Sequence, residues 1–202
     1  MQNAKIRIAE VDDARGIQAI YEPYVLETAI TLTSQVPTLE QVAQTLLDTK
    51  RKYPYLVCCR NNRVLGFAFA NRIHPHDAYN WNVELTIYIS PQHQGRGIAT
   101  ALYTALFQLL RLQGFCNLYA LITLPNEASI ALHRHFGFRR VAVLERNGFK
   151  LGQWRDVLWL EYRLPNAADP AQHGNPVWPS QLNGNDVTTA LAMASALLGG
   201  EQ

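Results

Sequence analysis

The chain has 202 residues, of which 48% are apolar and 17% charged, and its formal net charge is +2. These values are typical of one soluble globular domain, and the scattered basic residues argue against nucleic acid or an anionic membrane as a partner. Because no apolar run reaches the roughly 20 residues of a membrane span and no leader peptide is visible, we predict a cytoplasmic protein.

Two helices are predicted in the first fifty residues. The first, over 14–21, follows an aspartate that can cap it and is interrupted at Pro23. The second runs over 39–51 after the capping residue Thr38. Three apolar positions at helical spacing are expected to face inward: Val42, Leu46 and Leu47.

Three strands are predicted around these helices. Residues 6–9 alternate in the manner of an edge strand, and residues 55–59 and 64–70 form a pair joined by a turn at 61–62. The cysteines are odd in number and lack the C-x-x-C spacing of a metal site, so we expect buried thiols in a reducing compartment: Cys58, Cys59 and Cys116.

The stretch from Asn82 to Leu110 carries a strand, a glycine-rich turn and a helix. Its β-branched and aromatic start predicts a buried strand that ends at Ser90-Pro91, because proline cannot donate to a central ladder. After the turn, apolar residues recur every three to four positions, which predicts a helix with one buried face. The first turn of a helix has N–H groups without intrahelical partners, so this order of elements suits a phosphate group.

The turn itself is the sequence Gln94-Gly95-Arg96-Gly97. Its two glycines permit backbone torsions that a side chain would hinder, and Arg96 can add a charge-assisted contact. A Walker loop is excluded because no Gly-Lys-Ser/Thr follows. A dinucleotide fingerprint is also a poor match, since its third glycine would fall on Thr100.

The second half of the chain predicts a strand over 118–123, a helix over 125–136 and two antiparallel strands over 138–144 and 154–162. A long excursion containing two glycines is expected to join the last two strands. From Pro165 up to Asn185, polar and small residues dominate, which predicts a tail that does not pack a core.

A short helix is possible within this tail, over 186–198. Its small apolar face could dock on the domain or on a partner: Leu191, Met193, Leu197 and Leu198. Its role is left open.

The spacing Gln94-x-x-Gly97-x-Ala99 resembles the Q/R-x-x-G-x-G/A pyrophosphate-binding motif of the GNAT superfamily of acyl-CoA N-acyltransferases. Further segments resemble its phosphinothricin N-acetyltransferase branch, and the similarity runs from about Ile6 to Leu164. These segments are Ala78 to Glu84, the strand end before the turn, Leu124-Pro125-Asn126-Glu127-Ala128-Ser129, Phe136-Gly137-Phe138 and Gly148 to Val157.

This resemblance implies an α/β (α+β) GNAT fold, with a mixed, mostly antiparallel twisted sheet that is splayed at the acetyl-CoA site and flanked by helices. It implies one domain over 1–164, followed by the flexible tail over 165–202. The implied reaction is acetyl transfer from acetyl-CoA to the α-amino group of a small amino acid analogue, such as phosphinothricin, methionine sulfoximine or methionine sulfone. Attack would be direct, in a ternary complex, and a homodimer is possible.

Two alternatives are kept. One is acetylation of another small amine or of a protein N-terminus. The other is a non-catalytic acyl-CoA sensor, which would need only the glycine turn and Asn126.

The resemblance assigns the catalytic roles to Glu84 and His133. Glu84 lies in an apolar strand, where burial would raise its pKa toward a value useful for a general base, although it could also face solvent. His133 occupies the position of the proton donor to the coenzyme thiolate, or it could be a solvated helix residue. Tyr103 and Tyr88 are further hydroxyl candidates.

The resemblance also implies the binding residues. Acetyl-CoA would contact the end of the strand, the turn and the asparagine before the next helix: Ile87, Tyr88, Ile89, Gln94, Gly95, Arg96, Gly97, Ile98, Ala99, Thr100 and Asn126. The acceptor would contact the same strand and the loop before it: Arg72, His74, His76, Tyr79, Trp81, Glu84 and Thr86. Tyr24, Glu27 and Thr28 are possible neighbours of the acceptor. His74 and His76 lack a third ligand, so no metal is expected.

Overall fold

In the described part of the chain, seven strands form one sheet, in the order β1-β2-β3-β4-β5-β7-β6. The structure is a computed structural model that describes residues 4–165 and 174–199. Its strands are β1 Lys5–Ile8, β2 Tyr55–Arg60, β3 Arg63–Arg72, β4 Asn82–Ile89, β5 Asn117–Thr123, β6 Arg139–Lys150 and β7 Gln153–Arg163. Its helices are α1 Ala14–Glu27, α2 Leu39–Lys52, α3 Ile98–Gln113, α4 Glu127–His135 and α5 Gly184–Ala196. The mixed sheet with flanking helices confirms the predicted fold.

The sheet is splayed between β4 and β5, its one parallel pair in the described chain. These strands pair only from Asn82 to Glu84 on the β4 side. Beyond Glu84, β4 stays paired with β3 as far as Ile89, whereas β5 stays paired with β7 as far as Thr123. A gap therefore opens in the middle of the sheet, immediately after Glu84.

Helix α3 fills one face of the sheet because its apolar residues recur at helical spacing. Leu102, Leu106 and Leu110 are fully buried there, and full burial of one such side chain contributes about 1.5–3 kcal/mol. Helices α1 and α2 cover the other face, where Leu46 packs with the aromatic residues of β2 and β3.

Helix α1 continues through Pro23 to Glu27, so the predicted interruption is wrong. Proline removes one helical hydrogen bond, but Tyr24 and Val25 beyond it are buried in the core. Their packing outweighs the local preference of proline. In α2, the expected inward position of Leu47 is also wrong. It is 44% exposed, because it lies one residue beyond the buried Leu46 and therefore about 100° around the helix.

The predicted long excursion between the last two strands is replaced by a tight hairpin. Strand β6 continues to Lys150, and only Leu151 and Gly152 separate it from β7, with φ of 53° and 73°. Two residues with positive φ make the turn that best joins antiparallel strands. Gly148 lies within β6, paired with Arg155 of β7. A Cβ at this position would lie 2.5 Å from the Leu32 side chain, so this close approach requires glycine.

Helix α5 packs on α3 and β1, so docking on the domain, one of the two outcomes expected for this helix, is confirmed. Ala190, Ala194 and Leu198 are buried in the same cluster as α3, and the Ser195 hydroxyl oxygen accepts the Ile6 N–H over 2.9 Å. Of the apolar residues expected to dock, Met193 is instead exposed, as is Leu197.

Part of the polar stretch, over 166–173, lies outside the described residues. The division of the chain at 164/165 stays a prediction. None of the described helices combines the length and the apolar character needed to cross a bilayer.

Candidate active site

The splay between β4 and β5 opens into a cavity of about 510 Å³. The end of β4, the glycine turn, the first turn of α3 and the first turns of α4 line it. Every residue that the sequence predicted to bind acetyl-CoA belongs to this lining: Ile87, Tyr88, Ile89, Gln94, Gly95, Arg96, Gly97, Ile98, Ala99, Thr100 and Asn126. We call it the cofactor cavity.

The glycine turn leaves room for a ligand at the start of α3. Gly95 and Gly97 have φ of 69° and 74°, and no heavy atom lies within 4 Å of a Cβ built on either residue. The amides of Ile98, Ala99 and Thr100 follow in the first turn, where helical geometry leaves N–H groups without intrahelical acceptors. The N–H groups of this first turn, the positive end of the helix dipole and Arg96 together fit a pyrophosphate.

Gln94 is held in place by a residue of α1. Its side-chain amide donates to the Tyr24 hydroxyl oxygen over 2.8 Å, and that hydroxyl donates to the Ile89 carbonyl over 2.6 Å. Tyr24 thus lies at the cofactor cavity. Its possible contact with the acceptor stays a prediction.

A second cavity, also of about 510 Å³, lies on the face of the sheet that α1 and α2 cover. We call it the acceptor cavity. Glu84, Thr86 and Tyr88 line both cavities, because alternate residues of a strand share one face. The half-buried Glu84 thus lies where the two cavities meet, and burial raises the pKa of its carboxyl.

Aromatic side chains build the floor of the acceptor cavity through strand register. Phe67 of β3 lies opposite Tyr88 of β4, and Phe69 lies opposite Thr86. Tyr55 of β2 lies opposite Phe69, and their rings stack with centroids 4.5 Å apart. Across the cavity, the Tyr21 hydroxyl is 2.8 Å from the Thr31 hydroxyl and donates to that of Thr33 over 2.9 Å.

His133 is buried on α4 at the edge of the cofactor cavity. Its Nδ1 donates to the Ser129 carbonyl over 2.7 Å, and its Nε2 is 3.0 Å from the Tyr103 hydroxyl. Because a carbonyl oxygen only accepts, the neutral ring carries its proton on Nδ1, and Tyr103 donates to Nε2. Burial lowers the pKa of His133 while the bond to Ser129 opposes this effect, and burial raises the pKa of Tyr103.

Asn126 precedes α4 and caps it, since its side-chain oxygen accepts the Ser129 N–H over 3.2 Å. Its capping role and its place in the cofactor cavity are therefore compatible. The same turn of α4 supplies the carbonyl that binds His133.

Five predicted acceptor residues contribute to the lining of neither cavity: Arg72, His74, His76, Tyr79 and Trp81. They lie around the loop before β4. Arg72 donates to the Pro75 carbonyl and faces Asp77, and the Trp81 indole N–H donates to the Gly174 carbonyl over 3.0 Å. The ring of His74 packs against those of His76 and Tyr79. A role for this loop in acceptor binding stays a prediction.

Glu27 and Thr28, which were predicted as possible neighbours of the acceptor, also contribute to the lining of neither cavity. Within residues 4–165 and 174–199, no group of three or more His, Cys, Asp or Glu is arranged to hold a metal ion.

Most of the acceptor cavity was not found from the sequence. Phe67 and Phe69 alternate along β3, so the pattern shows that they share a face. It does not show which face, nor that Tyr55 and Tyr21 meet them there.

The chain is similar to known acetyltransferases. Residues 6–159 match the model of the acetyltransferase (GNAT) domain family. The phosphinothricin N-acetyltransferase of Streptomyces viridochromogenes is 32% identical over 170 residues, covering 83% of this chain and 93% of that protein. The L-methionine sulfoximine/L-methionine sulfone acetyltransferase of Salmonella typhimurium is 32% identical, with coverage of 82% and 97%.

A solved structure agrees with these relatives. The phosphinothricin acetyltransferase from Sinorhizobium meliloti, in complex with AcCoA, superposes with a TM-score of 0.81 at 32% identity and covers 90% of this chain and 98% of that one. With the splayed sheet and the glycine turn already in place, these similarities establish that the chain belongs to the GNAT family of acetyltransferases and is an N-acetyltransferase.

Proposed function

We propose that the protein transfers an acetyl group from acetyl-CoA to the primary amine of a small acceptor, with Glu84 as the general base. The observation that carries this proposal is the position of Glu84 at the junction of the cofactor and acceptor cavities. The relatives are named for phosphinothricin, methionine sulfoximine and methionine sulfone. The α-amino group of such an amino acid analogue is therefore the first acceptor to test.

The acetyl-CoA that GNAT enzymes use fits the cofactor cavity of this chain. The turn from Gln94 to Thr100 would hold its pyrophosphate, and Asn126 would contact the arm that leads to the thioester. The end of β4 lies free of β5 in the splay, so its backbone around Ile87 to Ile89 offers donors for the oxyanion that forms during acyl transfer.

Glu84 would take a proton from the acceptor ammonium, directly or through one water molecule. The neutral amine nitrogen then attacks the thioester carbonyl carbon, so that a C–N bond forms and the C–S bond breaks. The departing thiolate takes a proton from the hydrogen-bonded pair of Tyr103 and His133, while the nitrogen releases its second proton to solvent. In the described part of the chain no cysteine lines either cavity, which supports direct attack in a ternary complex.

Two alternatives differ in what they require of the site. A non-catalytic acyl-CoA sensor has no need of a base at the junction or of a buried Tyr103–His133 pair, so their presence argues against it. Acetylation of a different small amine is favoured by one observation, the aromatic and uncharged lining of most of the acceptor cavity. A homodimer and a cytoplasmic location stay predictions.

Thiol release from acetyl-CoA tests the proposal. The wild type is assayed with phosphinothricin, methionine sulfoximine, methionine sulfone and a panel of simple amines, and Glu84→Gln serves as the matched variant. We expect acceptor-dependent release that is lost in the variant while acetyl-CoA still binds. Binding of acetyl-CoA without turnover on any amine would favour the sensor.

A further inference from the structure

Two arginines of the β2–β3 hairpin lie beside the cofactor turn and have no role in the site described so far. Arg60 ends β2, Arg63 begins β3, and the two are paired across the hairpin. Asn61 and Asn62 join them with φ of 49° and 61°, as in the two-residue turns that best link antiparallel strands. Residues opposite each other in such a pair share a face, so both arginine side chains start from the same side of the hairpin.

The hairpin is fixed against the segment that leads into the cofactor turn. The carbonyl of Leu65, two residues after Arg63, accepts the Ser90 N–H over 2.8 Å. Nη2 of Arg63 donates to the side-chain oxygen of Gln92 over 3.5 Å. Gln92 lies two residues before Gln94, where the turn begins. Arg63 is therefore next to the turn that would hold the pyrophosphate, and its remaining N–H groups are free to bind a ligand.

A buried histidine connects the two hairpin arginines with the cofactor cavity. His93 lines this cavity, and its Nδ1 is 3.2 Å from the Ser90 hydroxyl. Burial lowers the pKa of the His93 imidazole, and the positive charges of Arg96, Arg63 and Arg60 lower it further. His93 is thus kept neutral, and the positive charge at this edge of the cavity belongs to the three arginines.

Carboxylates do not neutralise these three arginines. The ion pairs formed between described residues involve other basic side chains: Arg7, Lys50, Arg51, Arg72 and Arg139. Arg63 and Arg96 are exposed, and Arg60 is half-buried. Like charges directly opposite each other in a strand pair are destabilising. An anion that contacts both Arg60 and Arg63 would relieve this repulsion.

Coenzyme A carries an anion that fits this position. Its phosphates are the pyrophosphate and a monoester on the 3′ oxygen of the ribose, and one ribose separates them. With the pyrophosphate at the start of α3, the 3′-phosphate lies within reach of side chains that flank the turn. A phosphate monoester carries roughly two negative charges at neutral pH, and the planar guanidinium group binds phosphate through two parallel hydrogen bonds.

We propose that Arg60 and Arg63 bind the ribose 3′-phosphate of the acyl donor, and that the protein therefore prefers donors that carry this phosphate over 3′-dephospho donors. This inference rests on the proposed use of acetyl-CoA and adds a donor specificity to it. Neither arginine contributes to the lining of the cofactor cavity. Their contribution is therefore to the affinity for the donor and not to the acetyl-transfer step.

Isothermal titration with CoA and with 3′-dephospho-CoA tests the inference without turnover. The two ligands differ only in the 3′-phosphate, so the ratio of their Kd values isolates its contribution. We expect the wild type to bind CoA about tenfold more tightly than dephospho-CoA, since charged groups contact the phosphate. The double variant Arg60→Gln/Arg63→Gln should raise Kd for CoA about tenfold and change Kd for dephospho-CoA by less than about twofold.

Arg111→Gln is the matched control for the single variants Arg60→Gln and Arg63→Gln. It removes the same charge from an exposed arginine in the last turn of α3, at the end away from the cofactor turn. Its ratio of Kd values should equal that of the wild type. Added salt should lower the wild-type ratio, because ions screen contacts between charged groups at an exposed site. A ratio that does not change with salt would contradict a contact between charges.

The fold of each variant is checked by circular dichroism and Tm. Because Arg60 and Arg63 repel each other, their replacement should leave Tm at or above the wild-type value. A loss of affinity for CoA then reflects the missing side chains and not partial unfolding.

The outcomes separate the inference from the function on which it rests. Equal increases of Kd for both ligands in the double variant would overturn it, because the arginines would then act on the pyrophosphate or through the fold. An unchanged Kd for CoA, or an equal effect of Arg111→Gln, would overturn it as well, and acetyl transfer would stand in each case. If the wild type binds neither ligand, the proposed use of acetyl-CoA fails together with the inference. If the Kd values behave as expected but no amine is acetylated, the inference stands and the proposed transfer fails.

Discussion

The side-chain amide of Gln94 donates to the Tyr24 hydroxyl oxygen over 2.8 Å, and through this bond α1 holds the first residue of the cofactor turn. The same hydroxyl donates to the carbonyl of Ile89 at the end of β4. Tyr24 thus joins the strand, the turn and the helix at one atom. Its ring also lies 5.0 Å from that of Tyr88, which borders the acceptor cavity.

Removal of this hydroxyl is expected to weaken acetyl-CoA binding. Tyr24→Phe loses both bonds while the ring stays packed, and one such bond contributes about 0.5–1.5 kcal/mol. We expect KM for acetyl-CoA to rise about two- to tenfold with little change in kcat. Steady-state kinetics with acetyl-CoA varied at saturating acceptor measures this change.

Tyr21→Phe is the matched control for Tyr24→Phe. Tyr21 lies one helical turn earlier, also packs on Tyr88, and bonds to Thr31 and Thr33 at the acceptor cavity. Its loss should raise KM for the acceptor instead. Similar effects of both variants on KM for acetyl-CoA would contradict a positioning role for Tyr24.

Glu84→Gln should lower kcat strongly and stabilise the fold. Loss of a general base lowers kcat by about 100- to 10,000-fold. Burial raises the pKa of Glu84 in the folded state above its ordinary value of 4.5, so the folded state binds the proton more tightly than the unfolded state does. The stability of the wild type therefore falls as the pH rises from the ordinary pKa to the folded-state pKa. Glu84→Gln has no carboxyl at this position, so its stability does not fall in this way. Its Tm advantage should therefore be present at neutral pH and disappear below the ordinary value.

Thermal melts of both proteins across pH 4 to 8 check the stability part of this prediction, and thiol release checks the catalytic part. An advantage for Glu84→Gln that grows as pH falls would have the wrong sign. A variant that retains most of the wild-type kcat would remove Glu84 from the role of base.

Tyr103 and His133 are expected to act as one unit. Tyr103→Phe removes the donor to Nε2 of His133, and His133→Gln removes the imidazole partner of Tyr103. If the pair supplies the proton to the thiolate, either change lowers kcat and the double variant is scarcely worse than the slower single one. Contacting groups that share a function are non-additive in this way.

A double-mutant cycle on kcat, with circular dichroism and Tm recorded for each protein, tests this coupling. Removal of one partner leaves a buried polar atom unpaired, which costs about 1–3 kcal/mol of stability. All kinetic assays are therefore run at a temperature well below the lowest Tm of the four proteins. Additive losses in kcat would show that the two side chains act separately.

Gly97→Ala should raise KM for acetyl-CoA through the backbone alone. The methyl group meets no heavy atom within 4 Å, but φ of 74° is unfavourable for alanine by about 1–2 kcal/mol. The first turn of α3 then shifts toward other torsions, and its amides no longer converge on the pyrophosphate. Isothermal titration with acetyl-CoA measures the loss of affinity.

Gly152→Ala provides the control, since Gly152 has φ of 73°, equally open space and a position in the β6–β7 turn outside both cavities. It should cost similar stability and leave the affinity for acetyl-CoA unchanged. Equal losses of affinity in the two variants would point to a global effect on the fold.

The cofactor turn could be predicted because its signals are local. Strand, glycines and helix follow one another within some thirty residues, and α3 begins at Ile98 as the periodicity indicates. The predictions of secondary structure were wrong where contacts with distant parts of the chain decide which element a residue belongs to. Pro23 stays helical because the buried residues that follow it hold the helix in place. Gly148 lies in a strand because it pairs with Arg155 of β7, and it is a glycine there because Leu32 approaches it closely.

The acceptor cavity depends on such distant contacts throughout. Tyr55, Phe67 and Tyr88 meet through the register of three strands, and no short motif encodes that register. The loop before β4 shows the converse, since its nearness to Glu84 in sequence did not bring Arg72 or His74 into the lining of either cavity.

The contact between α5 and β1 has a consequence for synthesis of the chain. Ser195 accepts the N–H of Ile6 across 189 positions, and Ala194 and Leu198 cover part of the apolar face of α3. The edge of β1 and that face of α3 therefore stay uncovered on the nascent chain until α5 has emerged from the ribosome. During that interval the acetyltransferase presents an apolar surface to chaperones and to neighbouring nascent chains.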